Sequence, residues 1–111
     1  MFELEYYALL EKNREFFEHA LDIASKIKDK ARRIFGECEV YITGSYARRS
    51  YTLSSDLDVL IVSSTIPKKF SFEWYSDVAK KLTDDYRVNI HLLNKKRFKE
   101  TEGLYRPLIP V

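Results

Sequence analysis

Two aspartates and a glycine carry the first chemical signal in this chain. Asp56 and Asp58 stand two apart where an apolar run, Val59-Leu60-Ile61-Val62, opens. Side chains alternate along an extended backbone, so residues two apart project from one face. Two carboxylates set side by side repel and push one proton affinity upward unless a cation occupies the space between them. Oxygen-only ligands on a rigid strand suit Mg²⁺ (or Mn²⁺), which takes a few carboxylates and completes its shell with phosphate oxygens and water. Leu57, between the two acids, is expected to point the other way and anchor the pair in a core.

Ten residues separate Asp56 from Gly44-Ser45. Gly44 falls where one strand ends and a short helix can begin, and without a Cβ its backbone can approach a phosphate closely. Ser45 adds a hydroxyl and an N–H near the helix start, where unpaired amides and the dipole favour an anion. Arg48, three residues on, can neutralise phosphate charge. A nucleoside triphosphate held there and bridged by the metal to Asp56 and Asp58 is arranged for in-line phosphoryl transfer. The bland alternative is a turn glycine and two surface aspartates. The order strand, Gly-Ser, helix, Asp-x-Asp, apolar strand favours the chemical reading, because that context is what the mechanism needs.

The elements around the motif must position it. Residues 2–35 contain no Gly or Pro, and Phe17, Ala20, Ala24, Ile27, Ala31 and Ile34 recur at spacings of three and four, which predicts an amphipathic helix closed by Gly36. The sequence does not settle whether the first ten residues continue that helix. Lys26, Lys28, Lys30, Arg32 and Arg33 read as its solvated face. Glu39–Thr43 and Val88–Leu93 read as strands, and the unbroken apolar stretch after Asp58 marks a strand covered on both faces. Tyr46–Arg49 has room for a short helix, and Phe72–Leu82 is a second amphipathic helix. Residues 103–111 are apolar, with Pro107 and Pro110 forbidding helix. They are expected to pack extended against the domain, a partner surface being the alternative. The expected fold is a small α/β (α+β) domain with helices on a short mixed central sheet.

With 111 residues, the chain is expected to be a single domain: an N-terminal helical region at 1–36, a motif-bearing core at 39–93 and a tail at 103–111. Its apolar fraction of 45% is ordinary for a globular protein. No apolar run approaches the ~20 residues of a membrane span, and the acidic start lacks the basic residues of a secretory signal. A cytoplasmic protein without membrane contact is expected. Cys38 alone can make no internal disulfide and reads as a small buried hydrophobe. The net charge of +2 does not by itself argue for a nucleic-acid binder, and with no strong basic stripe to hold a strand, transfer to RNA or DNA ends is the less expected reading.

Gly44-Ser45, ten residues, then Asp56-Leu57-Asp58 resembles the signature of the minimal nucleotidyltransferases, within the DNA polymerase beta-like nucleotidyltransferase superfamily. The resemblance spans about Glu39 to Leu93 and implies the polymerase beta-like palm fold. It implies that Gly44 and Ser45 bind the triphosphate and that Asp56 and Asp58 hold the metals. It also implies a helical HEPN-domain partner, with the chain as antitoxin half of a toxin–antitoxin pair; some members transfer AMP from ATP onto that partner. The family's third metal-binding carboxylate lies on the following strand, where this chain has Asn89, with a carbonyl oxygen but no charge. Losing that acid is expected to harm chemistry more than ATP binding. His91, on the same face, is either a base or a structural histidine; Asp84 and Asp85 read as turn residues. Arg49 stands where relatives often have Gly.

Two functions follow. The first is an enzyme moving a nucleoside monophosphate, expected to be AMP from Mg·ATP, to a hydroxyl on a protein partner. The second is a catalytically weak or inactive nucleotide-binding module of antitoxin type. A chain this small has no acceptor-binding domain, so a partner or a homo-oligomer is expected to supply that surface.

Overall fold

The computed structural model describes residues 2–111; Met1, part of the acidic start, lies outside them. The helical region is two helices, α1 (Phe2–Glu18) and α2 (Ala20–Phe35), parted at His19. Residues 2–10 are thus helical, and among the described side chains α1 is buried only at its end, through Phe16 and Phe17. Ala20, Ala24, Ile27 and Ala31 bury one stripe of α2 as their spacing requires. At the last turn Phe35 takes the buried place expected of Ile34, which is 39% exposed. Gly36 ends the helix at φ 76°, and its N–H bonds the Arg32 carbonyl.

Strand β1 (Glu39–Thr43) runs into α3 (Gly44–Ala47), and β2 (Leu57–Ser63) follows the motif loop. Helix α4 (Phe72–Leu82), capped by the Ser71 hydroxyl accepting from Trp74 N–H, leads to β3 (Val88–Asn94). With a short last strand, β4 (Ile109–Pro110), the four-stranded sheet has the order β3-β2-β1-β4, with β2 parallel to β3 and antiparallel to β1. The fold is therefore a mixed α+β sheet with helices packed on it. Leu57, Val59 and Ile61 of β2 pack under α2 and α4 in the larger core. Leu60 and Val62, on the other face, are covered by Phe98, Tyr105 and Leu108. Burial on both faces is why the apolar run is unbroken.

Three local expectations are corrected. The short helix begins at Gly44 rather than Tyr46. A helix, α5 (Lys95–Thr101), follows β3 directly. Its cap is Asn94, whose side chain accepts from Lys96 N–H, a capping signal the apolar strand pattern hides. The tail is extended only at its end. Glu102–Leu104 forms a 3₁₀ turn, and only β4 (Ile109–Pro110) pairs with β1. No helix among the described residues is long and apolar enough to cross a membrane.

Candidate functional site

Strand pairing brings the motif together. Asp58 lies opposite Thr43 of β1 on one side and Asn89 of β3 on the other. Thr43, Asp58 and Asn89 therefore form a row across three strands, with Gly44 next along the chain from Thr43. The row sits on the face away from α2 and α4, because Leu57 and Val59 on either side of Asp58 are fully buried in that core. The expected anchoring role of Leu57 is what the structure has.

Asp58 is half-buried, and its two oxygens have different neighbours. Oδ1 accepts hydrogen bonds from Asn89 Nδ2 at 3.1 Å and from His91 Nε2 at 3.0 Å. Oδ2 lies against Gly44: a Cβ on that residue would stand 2.2 Å from it. Gly44 also has φ +71°, the left-handed region that favours glycine. Its missing Cβ therefore makes room first for the Asp58 carboxylate, where the sequence suggested only a phosphate. Burial pushes the Asp58 carboxyl up. Hydrogen bonds from His91 and then Asn89, followed by the charges of His91 and Arg48, outweigh it and hold the group below the usual carboxylate range.

An ionised carboxylate only accepts, so the hydrogen between His91 and Asp58 is carried by His91 Nε2. The ring edge meets Tyr105 at 6.2 Å between centroids, a neighbour delivered by the tail that nothing in the motif announces. His91 thus has a structural tie to Asp58, which answers one of the two readings of it. Arg48 is exposed at the end of α3. Arg49 takes φ 60°, the left-handed region that a glycine adopts more readily than an arginine. Ser45 is partly buried, and its carbonyl accepts from Ser50 N–H at 2.9 Å. Asp56 is exposed, one residue ahead of β2, and its side chain makes no hydrogen bond with a described residue. Asp85 is engaged with Arg87, which it binds through both carboxylate oxygens at 3.1 and 2.9 Å, as a turn residue would be.

The donor set fits one divalent ion better than two. Asp58 Oδ2 faces the Gly44 loop, and Asp56 has no competing partner among the described residues; both are hard oxygen donors beside a candidate phosphate site. At the third position Asn89 turns an N–H toward Asp58, a donor where a second ion would need an oxygen. Among the described residues no group of three or more His, Cys, Asp or Glu is placed to hold a metal. Far from this row, Lys68, Lys95, Lys96 and Lys99 gather round a cleft of about 290 Å³ beyond the other ends of β2 and β3. Lys95, Lys96 and Lys99 are neighbours in the sequence, and the fold adds Lys68 to them.

Comparison with known proteins agrees with the geometry. Residues 24–108 match the family model described as a nucleotidyltransferase domain. A structure from Sulfolobus solfataricus, provisionally named a nucleotidyltransferase, superposes with a TM-score of 0.66 at 24% identity, over 88% of this chain and 84% of that one. That likeness is one of fold. A second structure, provisionally named in the same way, gives a TM-score of 0.57 at 27% identity, over 78% of this chain and 95% of that one. No curated protein matches the chain. The matched residues run from within α2 to the tail and include the whole Gly44–Asp58–Asn89 row: the chain belongs to the nucleotidyltransferase domain family.

Proposed function

We propose that the chain transfers AMP from Mg·ATP to a hydroxyl on a protein partner, slowly, because its third acid is replaced by Asn89. The observation that carries this reading is the row itself, in which Asp58 stands between the Gly44 loop and Asn89. In it the backbone amides at Gly44 and Ser45 hold the leaving phosphates, and Arg48 offsets their charge. Asp56 and Asp58 would hold the metal, which when bound neutralises the phosphate charge and orients the oxygens for in-line displacement. Asn89 and His91 stand on the opposite side of Asp58 from Gly44, where an attacking hydroxyl belongs. Neither is a ready base. Asn89 cannot take a proton, and His91 Nε2 is committed to Asp58.

The HEPN-type partner rests on the resemblance of Gly44-Ser45 and Asp56-Leu57-Asp58 to the minimal nucleotidyltransferases. A second reading, a nucleotide-binding antitoxin-like module acting by complex formation, is favoured by one observation: Asn89 meets Asp58 with an N–H. Incubation with labelled ATP and the product of the neighbouring gene separates the two, with self-labelling as the fallback acceptor. Slow transfer by wild type is expected, rising about 10²-fold or more in Asn89→Asp, which restores a carboxylate. Brisk wild-type transfer unchanged by Asn89→Asp would contradict the proposal. ATP binding without transfer in either form would favour the module.

A further inference from the structure

Helix α1 carries a run of uncovered apolar side chains. Leu4, Tyr6, Tyr7 and Leu9 are all exposed, Tyr6 by 59% and Leu9 by 51%. Tyr6, Leu9, Asn13 and Phe16 follow one another at spacings of three and four, the seam along which two helices interlock. The last of them, Phe16, is buried in the larger core, as is its neighbour Phe17. The face that docks α1 on its own body therefore runs on toward the helix start, where Tyr6 and Leu9 lie open.

The whole molecule shows the same excess of surface. It measures 50 × 27 × 22 Å with a radius of gyration of 15.0 Å, against about 13 Å for a compact domain of this length. Its accessible surface is 7636 Å², where a folded monomer of this mass is expected to show about 6,400 Å². The surplus of about 1,200 Å² exceeds the ~800 Å² that each partner buries in a standard interface.

Charge says what covers the face. Glu5 and Lys12 are seven residues apart, which sets them on the same flank of the seam with opposite signs. Among the described residues the ion pair within α1 is Arg14 with Glu11, at 3.4 Å, and neither Glu5 nor Lys12 has one. In an antiparallel pair of identical helices, equivalent flanks face each other. Tyr6 then packs against Leu9 of the second copy, and Glu5 stands beside its Lys12; by symmetry each contact occurs twice. A parallel pair would set Glu5 beside Leu10 and Lys12 beside Phe17, where neither charge is offset.

We propose that two copies of this chain pair through antiparallel α1 helices. The inference is independent of the nucleotidyl-transfer reading above. It bears on the site nonetheless: Leu9 and Asn13 also line, with Asp56, a cleft of about 140 Å³, so the second copy's helix reaches one wall of it.

Sedimentation equilibrium of the full chain tests this, with circular dichroism to show that each variant is folded. Wild type is expected to be a dimer. Tyr6→Glu and Leu9→Glu, at exposed positions, are expected to give folded monomers. Leu4→Glu, on the opposite side of the helix, is expected to leave the dimer intact. Glu5→Lys and Lys12→Glu are each expected to weaken dimerisation about tenfold, since two pairs turn repulsive, and the double exchange to restore it. A wild type monomeric at every concentration would overturn the proposal. So would a dimer indifferent to Tyr6→Glu and Leu9→Glu, whose interface must lie elsewhere. A dimer weakened by each charge exchange but not restored by both would overturn the antiparallel pairing. If α1 were covered only on adding the product of the neighbouring gene, the face would belong to that partner, which also overturns it.

Discussion

On one face of the sheet, Leu57, Val59 and Ile61 of β2 are fully buried beneath α2 and α4. On the other face the same strand presents Asp58, Leu60 and Val62, and the cover from α5 and the tail reaches only the last two. Two registers of one strand thus divide the labour. The covered register holds the fold together, while the other leaves a polar opening at its start, where Asp58, Asn89 and His91 share hydrogen bonds. The site is positioned by a core it does not touch, so stability and binding should respond to different substitutions.

The largest effect expected is on the covered face. Ile61→Ala removes a fully buried side chain and should cost about 2–5 kcal/mol of stability, read by denaturant unfolding. The nucleotide affinity of the folded fraction should stay as in wild type. A loss of affinity at full folding would mean that the two registers are not separable.

Gly44→Ala probes the boundary between the faces. The new Cβ meets Asp58 Oδ2 at 2.2 Å in a left-handed backbone, so about 1–3 kcal/mol of stability should be lost, together with the placement of Asp58. Mg·ATP binding should fall more than stability does. Unchanged ATP affinity would show that Gly44 serves only the turn.

A smaller effect is expected in the turn before β3, where Arg87 stacks over Phe16 of α1 and Asp85 and Arg87 form a two-point ion pair. The Arg87 hydrogen bond, against the opposing effect of burial, holds the Asp85 carboxyl below its usual range. A depressed folded-state value means stability that is present above the unfolded-state value and lost as pH falls through the folded one. Asp85→Asn should therefore cost about 1 kcal/mol at pH 7, and the gap to wild type should close as the pH drops below about 4. A gap independent of pH would assign the loss to packing.

The two registers were also unequally legible in sequence. The covered one was plain, because burial forces apolar residues at fixed periods, and Leu57 to Val62, α2 and α4 emerge where that pattern puts them. Of the row, Asp58 followed from the motif and Asn89 from the family resemblance; the place of Thr43 and the pairing of the strands came only with the structure. What stayed hidden depends on long-range contact. The fit of Asp58 into the space of a missing Cβ, the tie between His91 and Asp58, and the approach of Tyr105 join residues far apart in the chain. Helix α5 was hidden for a local reason: its single buried residue, Phe98, gives too little periodicity to read.

The account turns on Asp56 and Asp58 as the point where metal and triphosphate meet. Titrating ATP into wild type and the Asp56→Asn/Asp58→Asn double variant, each with and without Mg²⁺, addresses it most directly. The account predicts that wild type binds ATP tightly only with Mg²⁺, and that the double variant loses the metal-dependent gain while remaining folded. Equal ATP affinity in the two proteins with Mg²⁺ present would contradict it.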